Sequence, residues 1–194
     1  LAYLTSLPLR SERRLLSGQN VGHGPTAAKG YDAYVGKLHE ATGKWPAFVT
    51  ADYAFGSVNA GWIDQVNQTV KGHWDAGGLV SINIASLNNP LTGGNCKDRG
   101  DVDLAQLVTP GTRGNAAWMA CLDAIAAGLA GLRDAGVVVL WRPLHETNMA
   151  DFWWGCAPAE NYVRLWCHMH RYFMREKGLD NLLWVYSPAA NPWG

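Results

Sequence analysis

The stretch Val137–Glu146, VVVLWRPLHE, decides the fold of this 194-residue chain. Its first five residues, VVVLW, form an uninterrupted apolar run, which is typical of a strand buried on both faces of a parallel sheet. Pro143 stops further pairing because it lacks the N–H that a neighbouring strand would need. The polar pair His145 and Glu146 therefore follows directly at the carboxyl end of a buried strand.

Strands and helices alternate along the rest of the chain. Because nearly every strand is followed by a helix, the pattern predicts right-handed βα units and a parallel sheet. A long polar loop, Ser86–Gly114, separates the third strand from the next helix, and Gly178 is expected to cap the last helix. The predicted strands are Arg14–Gln19, Trp45–Asp52, Leu79–Ala85, Val137–Arg142 and Leu182–Tyr186. The predicted helices are Tyr31–Thr42, Gly61–Ala76, Ala116–Ala135 and Ala159–Lys177.

Two α/β architectures fit this alternation: a doubly wound open sheet and a (β/α)₈ TIM barrel. An open sheet gathers its functional residues at one switch point, whereas a barrel draws them from the carboxyl ends of several strands. Polar residues follow every predicted strand here, which favours the barrel. A closed barrel takes about 250 residues, so residues 1–194 are expected to hold the first five βα units of a single catalytic domain, truncated at its C-terminus. The strand-end residues are Gln19, Asn20, Asp52, Ser86, Asn88, His145, Glu146 and Ser187.

The composition limits the classes of partner. Sixteen basic residues balance 16 acidic ones, so no net charge attracts nucleic acid or an anionic membrane. No apolar run approaches the roughly 20 residues of a membrane span. Ten tryptophans are more than a core of this size needs, and indole faces stack on sugar rings in carbohydrate-binding clefts.

Several familiar catalytic motifs are absent from the sequence. HETNM differs from the zinc-protease pattern because Met149 stands where the second His is required. GQNVGHG (residues 18–24) matches neither phosphate-binding glycine pattern, and there is no GxSxG nucleophile elbow. We therefore expect no metal and no cofactor. The cysteines show no CxxC pair, and they form either two disulfides or thiols; they are Cys96, Cys121, Cys156 and Cys167.

Glu146 is the strongest catalytic candidate, because a carboxylate at this strand end faces the mouth of a barrel. The alternative is a helix-terminal glutamate that only offsets the helix dipole. His145 can hydrogen-bond a substrate or tune the carboxylate, and Asn148 lies close enough to join the same network. Asp151 belongs to the same loop, where it could equally act as a loop cap.

Trp153 and Trp154 follow the carboxylate by seven and eight residues. Adjacent residues point in opposite directions, so one indole is expected to line a cleft, unless both pack beneath the loop. An aromatic setting raises the pKa of a carboxylic acid by desolvation, which suits a general acid. Such an acid beside an aromatic surface indicates glycoside cleavage, in which two carboxylates flank the scissile bond.

The stretch RPLHETN…FWWG (residues 142–155) resembles glycoside hydrolase family 26, known chiefly for β-mannanases. SGQ (17–19), NNP (88–90) and LLWVYSP (182–188) extend the resemblance over essentially the whole chain. It implies a (β/α)₈ barrel that cleaves β-linked polysaccharides with retention, with Glu146 as general acid/base and His145 holding the substrate. The strand-end pattern and the resemblance together give the expected substrate-binding residues, which are Arg142, Asn148, Asp151, Trp153, Trp154, Gln19, Asp52 and Asn88.

The chain departs from the family pattern in three places. Ala85-Ser86 stands where the family usually has Trp-His, Asp151 stands where a Trp usually precedes FWWG, and Met149 replaces a Gly. The resemblance also implies a nucleophilic glutamate on a seventh strand, and the 194 residues hold no counterpart. Asp52 ends a strand but lies two strands away, so we do not assign it that role.

The favoured hypothesis is a secreted or extracellular retaining hydrolase of β-1,4-mannan or a related hemicellulose. The expected partner is a polysaccharide or oligosaccharide substrate, with neither nucleic acid nor membrane, and the sequence leaves the oligomeric state open. The alternative is a non-catalytic carbohydrate-binding protein on a degenerate barrel that keeps its aromatic residues.

Overall fold

The computed structural model describes residues 2–11, 15–100 and 103–190. Five parallel strands lie side by side in the order in which they occur along the chain. A doubly wound sheet reverses its strand order at a switch point, and this sheet does not. The barrel prediction is therefore confirmed, and the sheet is the wall of a partial (β/α)₈ barrel. Its strands are β1 (Gly18–His23), β2 (Phe48–Asp52), β4 (Leu79–Asn83), β6 (Val139–Arg142) and β7 (Leu182–Trp184), while β3 (Ala54–Val58) and β5 (Ser86–Leu87) form a separate parallel pair.

The helices follow the strands as the alternation predicts. The predicted helix Tyr31–Thr42 is extended and divided, because a π-helical segment, Tyr31–Gly36, joins two short α-helices. A second π segment, Tyr172–Glu176, continues the last helix, and Gly178 follows it with a φ of +63°, as its predicted role at the helix end requires. The α-helices are α1 (Ala2–Ser6), α2 (Ala27–Gly30), α3 (Lys37–Thr42), α4 (Ala60–Asp75), α5 (Arg113–Asp134) and α6 (Ala159–Arg171).

The core lies between the sheet and the helices. Successive strand residues point to opposite faces, and in β2, β4 and β6 the residues of the helix-facing side, here called the outer face, have no solvent exposure. Asn67 of α4 ties this layer together: it accepts a hydrogen bond from Tyr53 Oη and donates one of 2.9 Å to the Gly128 carbonyl of α5. The outer-face residues are Val49, Ala51, Val80, Ile82, Val139 and Trp141.

The opposite side of the sheet, here called the inner face, is only partly covered by the described residues. Phe48, Thr50, Leu79, Leu140 and Leu183 are all half-buried there. The inner face is concave and lines a cavity of about 610 Å³ near the amino ends of the strands. The outer face thus carries the packed core.

Helix α5 has the length and apolar composition of a membrane span. Its buried side chains include Trp118, Leu122, Ile125 and Leu129, all of which belong to the main hydrophobic cluster. A core helix of a soluble protein passes the same test of length and composition. The packing of α5 against the rest of the core accounts for its apolar character.

The first strand was placed too early by the sequence pattern. Leu15 is 99% exposed, and β1 begins at Gly18 rather than Arg14, which lies outside the described residues. The strand is positioned by its neighbour, since the Phe48 ring occupies the space above Gly18, where a Cβ would come within 2.1 Å of Phe48 Cζ. The pairing with β2 therefore decides where β1 begins, although the apolar residues of RLL predicted an earlier start.

Other boundaries also moved. Helix α5 begins at Arg113 rather than Ala116, because the Thr112 hydroxyl caps it by accepting a hydrogen bond of 3.0 Å from the Asn115 N–H. Strands β2, β4, β6 and β7 are shorter than predicted, and β3 and β5 were not predicted. All four cysteines are free thiols in this structure, which favours the second of the two alternatives.

Candidate active site at the carboxyl edge of the sheet

Four polar residues form a row across the carboxyl edge of the sheet. The strand register pairs His23 with Asp52, Asp52 with Asn83, and Asn83 with Arg142. Residues paired in neighbouring parallel strands project from the same face, so the four side chains belong to the inner face. Ser187, beyond the end of β7, extends the row, because its Oγ accepts a hydrogen bond of 2.9 Å from Arg142 Nε. We call these five residues the polar row.

Asp52 is the most constrained member of the polar row. Its Oδ1 accepts a hydrogen bond of 2.9 Å from the Ala85 N–H, and its carboxylate also interacts with the Asn20 side chain. Burial raises the pKa of Asp52 above its ordinary value, while these hydrogen bonds and the charges of His23 and Arg142 act in the opposite direction. Asp52 therefore sits as a fixed, partly desolvated acid at the carboxyl end of β2.

Gln19 and Asn20 support this corner of the row from β1. Gln19 Nε2 donates a hydrogen bond of 2.9 Å to the Asn20 carbonyl, and the Gly22 N–H donates one of 2.6 Å to Asn20 Oδ1. Gln19 is half-buried and its amide is engaged with its own strand. Gln19 pairs with Val49 in the register of the sheet, so its side chain projects from the face opposite to the polar row, although it directly precedes the residue that contacts Asp52.

Glu146 follows β6 in an unusual backbone turn. Leu144 and Glu146 both adopt left-handed conformations, with φ values of +48° and +54°, which costs roughly 1–3 kcal/mol for each non-glycine residue. The turn is held by a hydrogen bond of 2.7 Å from the Glu146 N–H to the Ser187 carbonyl. Strained residues of this kind are common at functional sites, and here the strain lies at the predicted acid.

His145 occupies an aromatic pocket beside the candidate acid. It is 9% exposed, and its ring centroid lies 4.7 Å from that of Phe152 and 5.9 Å from that of Trp154. Burial lowers the pKa of His145, and the charge of Arg142 lowers it further, while Glu146 opposes both effects. The imidazole is therefore neutral near pH 7, so one ring nitrogen can donate a hydrogen bond and the other can accept one.

The expectation that Trp153 or Trp154 lines a cleft is wrong. Their exposed fractions are 2% and 0%, so neither indole presents a face to a sugar. Trp153 Nε1 donates to the Leu87 carbonyl at 2.9 Å, and Trp154 Nε1 donates to the His145 carbonyl at 2.7 Å. Both rings pack beneath the loop, as the alternative prediction held. Trp154 contacts His145 through its ring and through its hydrogen bond to the His145 carbonyl. Phe152, stacked on Trp154 at 4.6 Å, is the ring of this cluster that remains half-buried.

The remaining predicted residues lie in different places. Asn148 fixes the segment after β7, since its Nδ2 donates to the Ala189 carbonyl at 3.1 Å and its Oδ1 accepts from the Ala189 N–H at 2.8 Å. Asp151 is exposed on the loop before the aromatic cluster. Asn88 belongs to the small sheet, where its N–H donates to the Gly56 carbonyl at 2.7 Å. The structure therefore places His145 and Glu146 beside Arg142 and Ser187, two members of the polar row. Asn88 lies on a separate element.

Two members of the polar row could not be predicted from the sequence. Asn83 lies inside the predicted third strand, and only the register with Asp52 and Arg142 places it in the row. His23 lies in a stretch that the glycine pattern marked as a turn, but it ends β1. Within the described ranges, no three His, Cys, Asp or Glu side chains are grouped so that they could hold a metal ion.

The fold and this site define a class of protein: a (β/α)₈-type chain with a carboxylate at the mouth of its parallel sheet. The family model described as glycosyl hydrolase family 26 matches residues 1–193. The chain therefore belongs to glycosyl hydrolase family 26.

Similar proteins agree with this assignment. A mannan endo-1,4-beta-mannosidase of Bacillus subtilis is 34% identical over 97% of this chain and 56% of its own length. One from Thermothelomyces thermophilus is 32% identical over 79% of this chain and 35% of its own length. The solved structure of Bacillus subtilis mannanase man26 superposes with a TM-score of 0.86 at 32% identity, over 98% of this chain and 61% of that one. The chain thus spans a little over half the length of the first of these relatives.

Proposed function

We propose that this protein hydrolyses β-1,4-mannan or a related hemicellulose, with Glu146 as the general acid/base. One observation carries the proposal: Glu146 is held in a strained turn at the mouth of the sheet, beside a neutral buried histidine and the polar row. The family and the names of its relatives, which are mannan endo-1,4-beta-mannosidases, supply the substrate class.

In this mechanism Glu146 protonates the glycosidic oxygen as the bond to the leaving sugar breaks. The same carboxylate then accepts a proton from the attacking water. His145 orients the substrate or the acid through a hydrogen bond that needs no change in its own charge. Arg142, fixed by Ser187, supplies a positive group next to the reacting region.

A retaining mechanism also needs a nucleophilic carboxylate about 5–5.5 Å from the acid. Among the described residues, the other glutamates lie in helices: Glu40, Glu160 and Glu176. Asp52 is two strand spacings from β6, or about 10 Å, which is too far. We therefore propose that the nucleophile comes from a strand later in the barrel than β7.

The other predicted substrate-binding residues lie in different parts of the site. Asp52 is proposed to bind sugar at the β1–β2 end of the polar row, and Asp151 and Asn148 at the loop beyond Glu146. Gln19 is proposed to act indirectly, through its hydrogen bond to the Asn20 carbonyl. Asn88 lies on the small sheet and would contact only a sugar far from the acid. Trp153 and Trp154 are proposed to act indirectly, by supporting His145.

Replacing Glu146 with Gln tests the proposal. The amide keeps the shape of the side chain but cannot donate a proton as an acid, so the rate on β-1,4-mannan should fall about 10²- to 10⁴-fold while affinity is retained. Glu160→Gln, in the first turn of α6, is the matched control and should keep the wild-type rate. Hydrolysis by Glu146→Gln at the wild-type rate would refute the assignment. Sugar binding without turnover in the wild-type protein would favour the non-catalytic alternative.

We further infer that the protein acts outside the cell. Mannan is a polymer too large to cross a membrane unaided, so its hydrolysis must begin where the polymer lies. Activity measured in culture medium and in washed cells tests this inference, and activity confined to the cell interior would contradict it.

A further inference from the structure

Exposed Phe55 stacks on half-buried His23 at the β1 end of the polar row. Their ring centroids are 3.9 Å apart and the ring planes differ by 8°. Phe55 is nevertheless 54% exposed, so a large part of its surface stays accessible to solvent while the ring stacks on the imidazole. A large apolar ring held flat and open to solvent is the surface that a sugar ring stacks on.

The pair lies on the site side of the molecule. His23 pairs with Asp52 in the register of the sheet, and Phe55 follows the end of β2 by three residues. From β1 to β6 there are three strand spacings of about 4.8 Å, which places the pair about 14 Å from Arg142 along the row. A polysaccharide lying across the carboxyl edge would reach it a few sugar units away from Glu146.

The platform is rigid on both sides. The Thr26 hydroxyl donates a hydrogen bond of 2.7 Å to the His23 carbonyl and accepts one of 3.3 Å from the His23 N–H. Phe55 pairs with Ser86 in the small parallel sheet, and the next residue, Gly56, accepts a hydrogen bond of 2.7 Å from the Asn88 N–H. Little conformational freedom of the backbone would be lost when a ligand binds.

We propose that Phe55, supported by His23, is a distal sugar-binding platform that sets the preference of this protein for long substrate chains. The inference rests on the proposed function and deepens it. Stacking on an aromatic face contributes to affinity only when the chain is long enough to reach it. Phe55 should therefore affect long oligosaccharides and polymer but not the shortest cleaved substrates.

The chain offers a closely matched control at the opposite end of the strands. Trp45 is also 54% exposed and also stacks on a histidine, His39, at 3.9 Å and 10°. It precedes β2, at the amino edge of the sheet. A non-specific effect of removing an exposed, stacked aromatic ring should appear at both positions, whereas a platform effect should appear only at Phe55.

The experiment measures kcat/KM on β-1,4-manno-oligosaccharides of increasing length and on mannan, using the complete protein. Phe55→Ala should lower kcat/KM about fivefold on long substrates, mainly through KM, and leave the shortest cleaved substrate unchanged. Phe55→Trp should restore the wild-type length dependence, and Trp45→Ala should preserve it. Equal losses at every length in Phe55→Ala, or the same loss in Trp45→Ala, would overturn the proposal.

A second measurement separates this inference from the proposed function. If the wild-type protein does not hydrolyse mannan, retention of wild type and Phe55→Ala is compared by electrophoresis in gels containing mannan or other β-linked polysaccharides. Weaker retention of Phe55→Ala than of Trp45→Ala supports the platform without the enzyme. Equal retention of the two variants overturns it.

Discussion

The two faces of the sheet differ although they are built from the same strands. On the outer face, Val49 of β2 pairs with Val80 of β4, and Val80 pairs with Val139 of β6, all three fully buried. One residue further along, the inner face has Thr50 beside Ser81 and Ser81 beside Leu140. In β2, β4 and β6 the outer face is apolar, while the inner face mixes hydroxyl groups with half-buried aliphatic side chains.

Alternate residues of each strand therefore have different roles. One set packs against the helices, and the other set faces the candidate site. Helix packing requires apolar side chains on the outer face at every level. The inner face becomes more polar toward the carboxyl edge, where Asp52, Asn83 and Arg142 complete the polar row. The inner face also has polar contacts further from this edge: Asn83 Nδ2 donates a hydrogen bond of 3.0 Å to Thr50 Oγ1. The outer face should therefore control stability and the inner face activity.

The largest effect on stability should come from the outer face. Ile82→Ala removes a fully buried side chain and should lower the free energy of unfolding by about 2–5 kcal/mol. In a protein of residues 1–194, Leu140→Ala deletes an isomeric side chain from the half-buried inner face and should cost only about 1 kcal/mol. Urea unfolding of both variants measures the contrast. Equal losses would break the comparison, because they would mean that the inner face is as well covered in solution as the outer one.

A smaller effect should follow from cutting the link between β6 and β7 on the inner side. Ser187→Ala removes the acceptor for Arg142 Nε and should lower the free energy of unfolding by about 1 kcal/mol. Since Arg142 then loses its fixed orientation, kcat/KM on mannan should fall several-fold while the helix content by circular dichroism stays constant. Ser57→Ala, in an exposed position of β3, is the control. Unchanged activity in Ser187→Ala would show that the polar row does not depend on this bond.

The smallest effect should be a pH dependence from His145. Its folded-state pKa is lowered from 6.5 by burial, so the unfolded state binds the proton more tightly. The contribution of His145 to the free energy of unfolding is therefore fully present above pH 6.5 and is lost as the pH falls towards the folded-state pKa. One titrating group cannot change the free energy of unfolding by more than about 1.4 kcal/mol per pH unit.

Urea unfolding between pH 7.5 and 5 checks this dependence. His145→Gln should flatten the loss of stability at acid pH but not abolish it, because burial also lowers the pKa values of His73 and His168. Identical slopes in the variant and the wild-type protein would contradict a buried, neutral His145.

The sequence by itself determined the class of fold and the position of the candidate acid. Hydrophobic runs, Pro143 after a strand and Gly178 after a helix are local signals, and they are enough to establish alternating βα units. The position of Glu146 after the most apolar strand also follows from the chain alone, because a strand end is fixed by its immediate neighbours. The family resemblance rests on the same contiguous stretch.

Only the tertiary structure decided which residues share the site. The polar row depends on the register between strands that lie about 30 to 60 residues apart, and a shift of one residue would turn its members to the other face. Trp153 and Trp154 look like sugar-binding residues in sequence, but their N–H groups are bound by carbonyls of Leu87 and His145 and their rings are buried. The Phe55–His23 pair joins two strands that are not adjacent in sequence. Local sequence specifies which elements form, whereas contacts between distant residues decide which side chains meet.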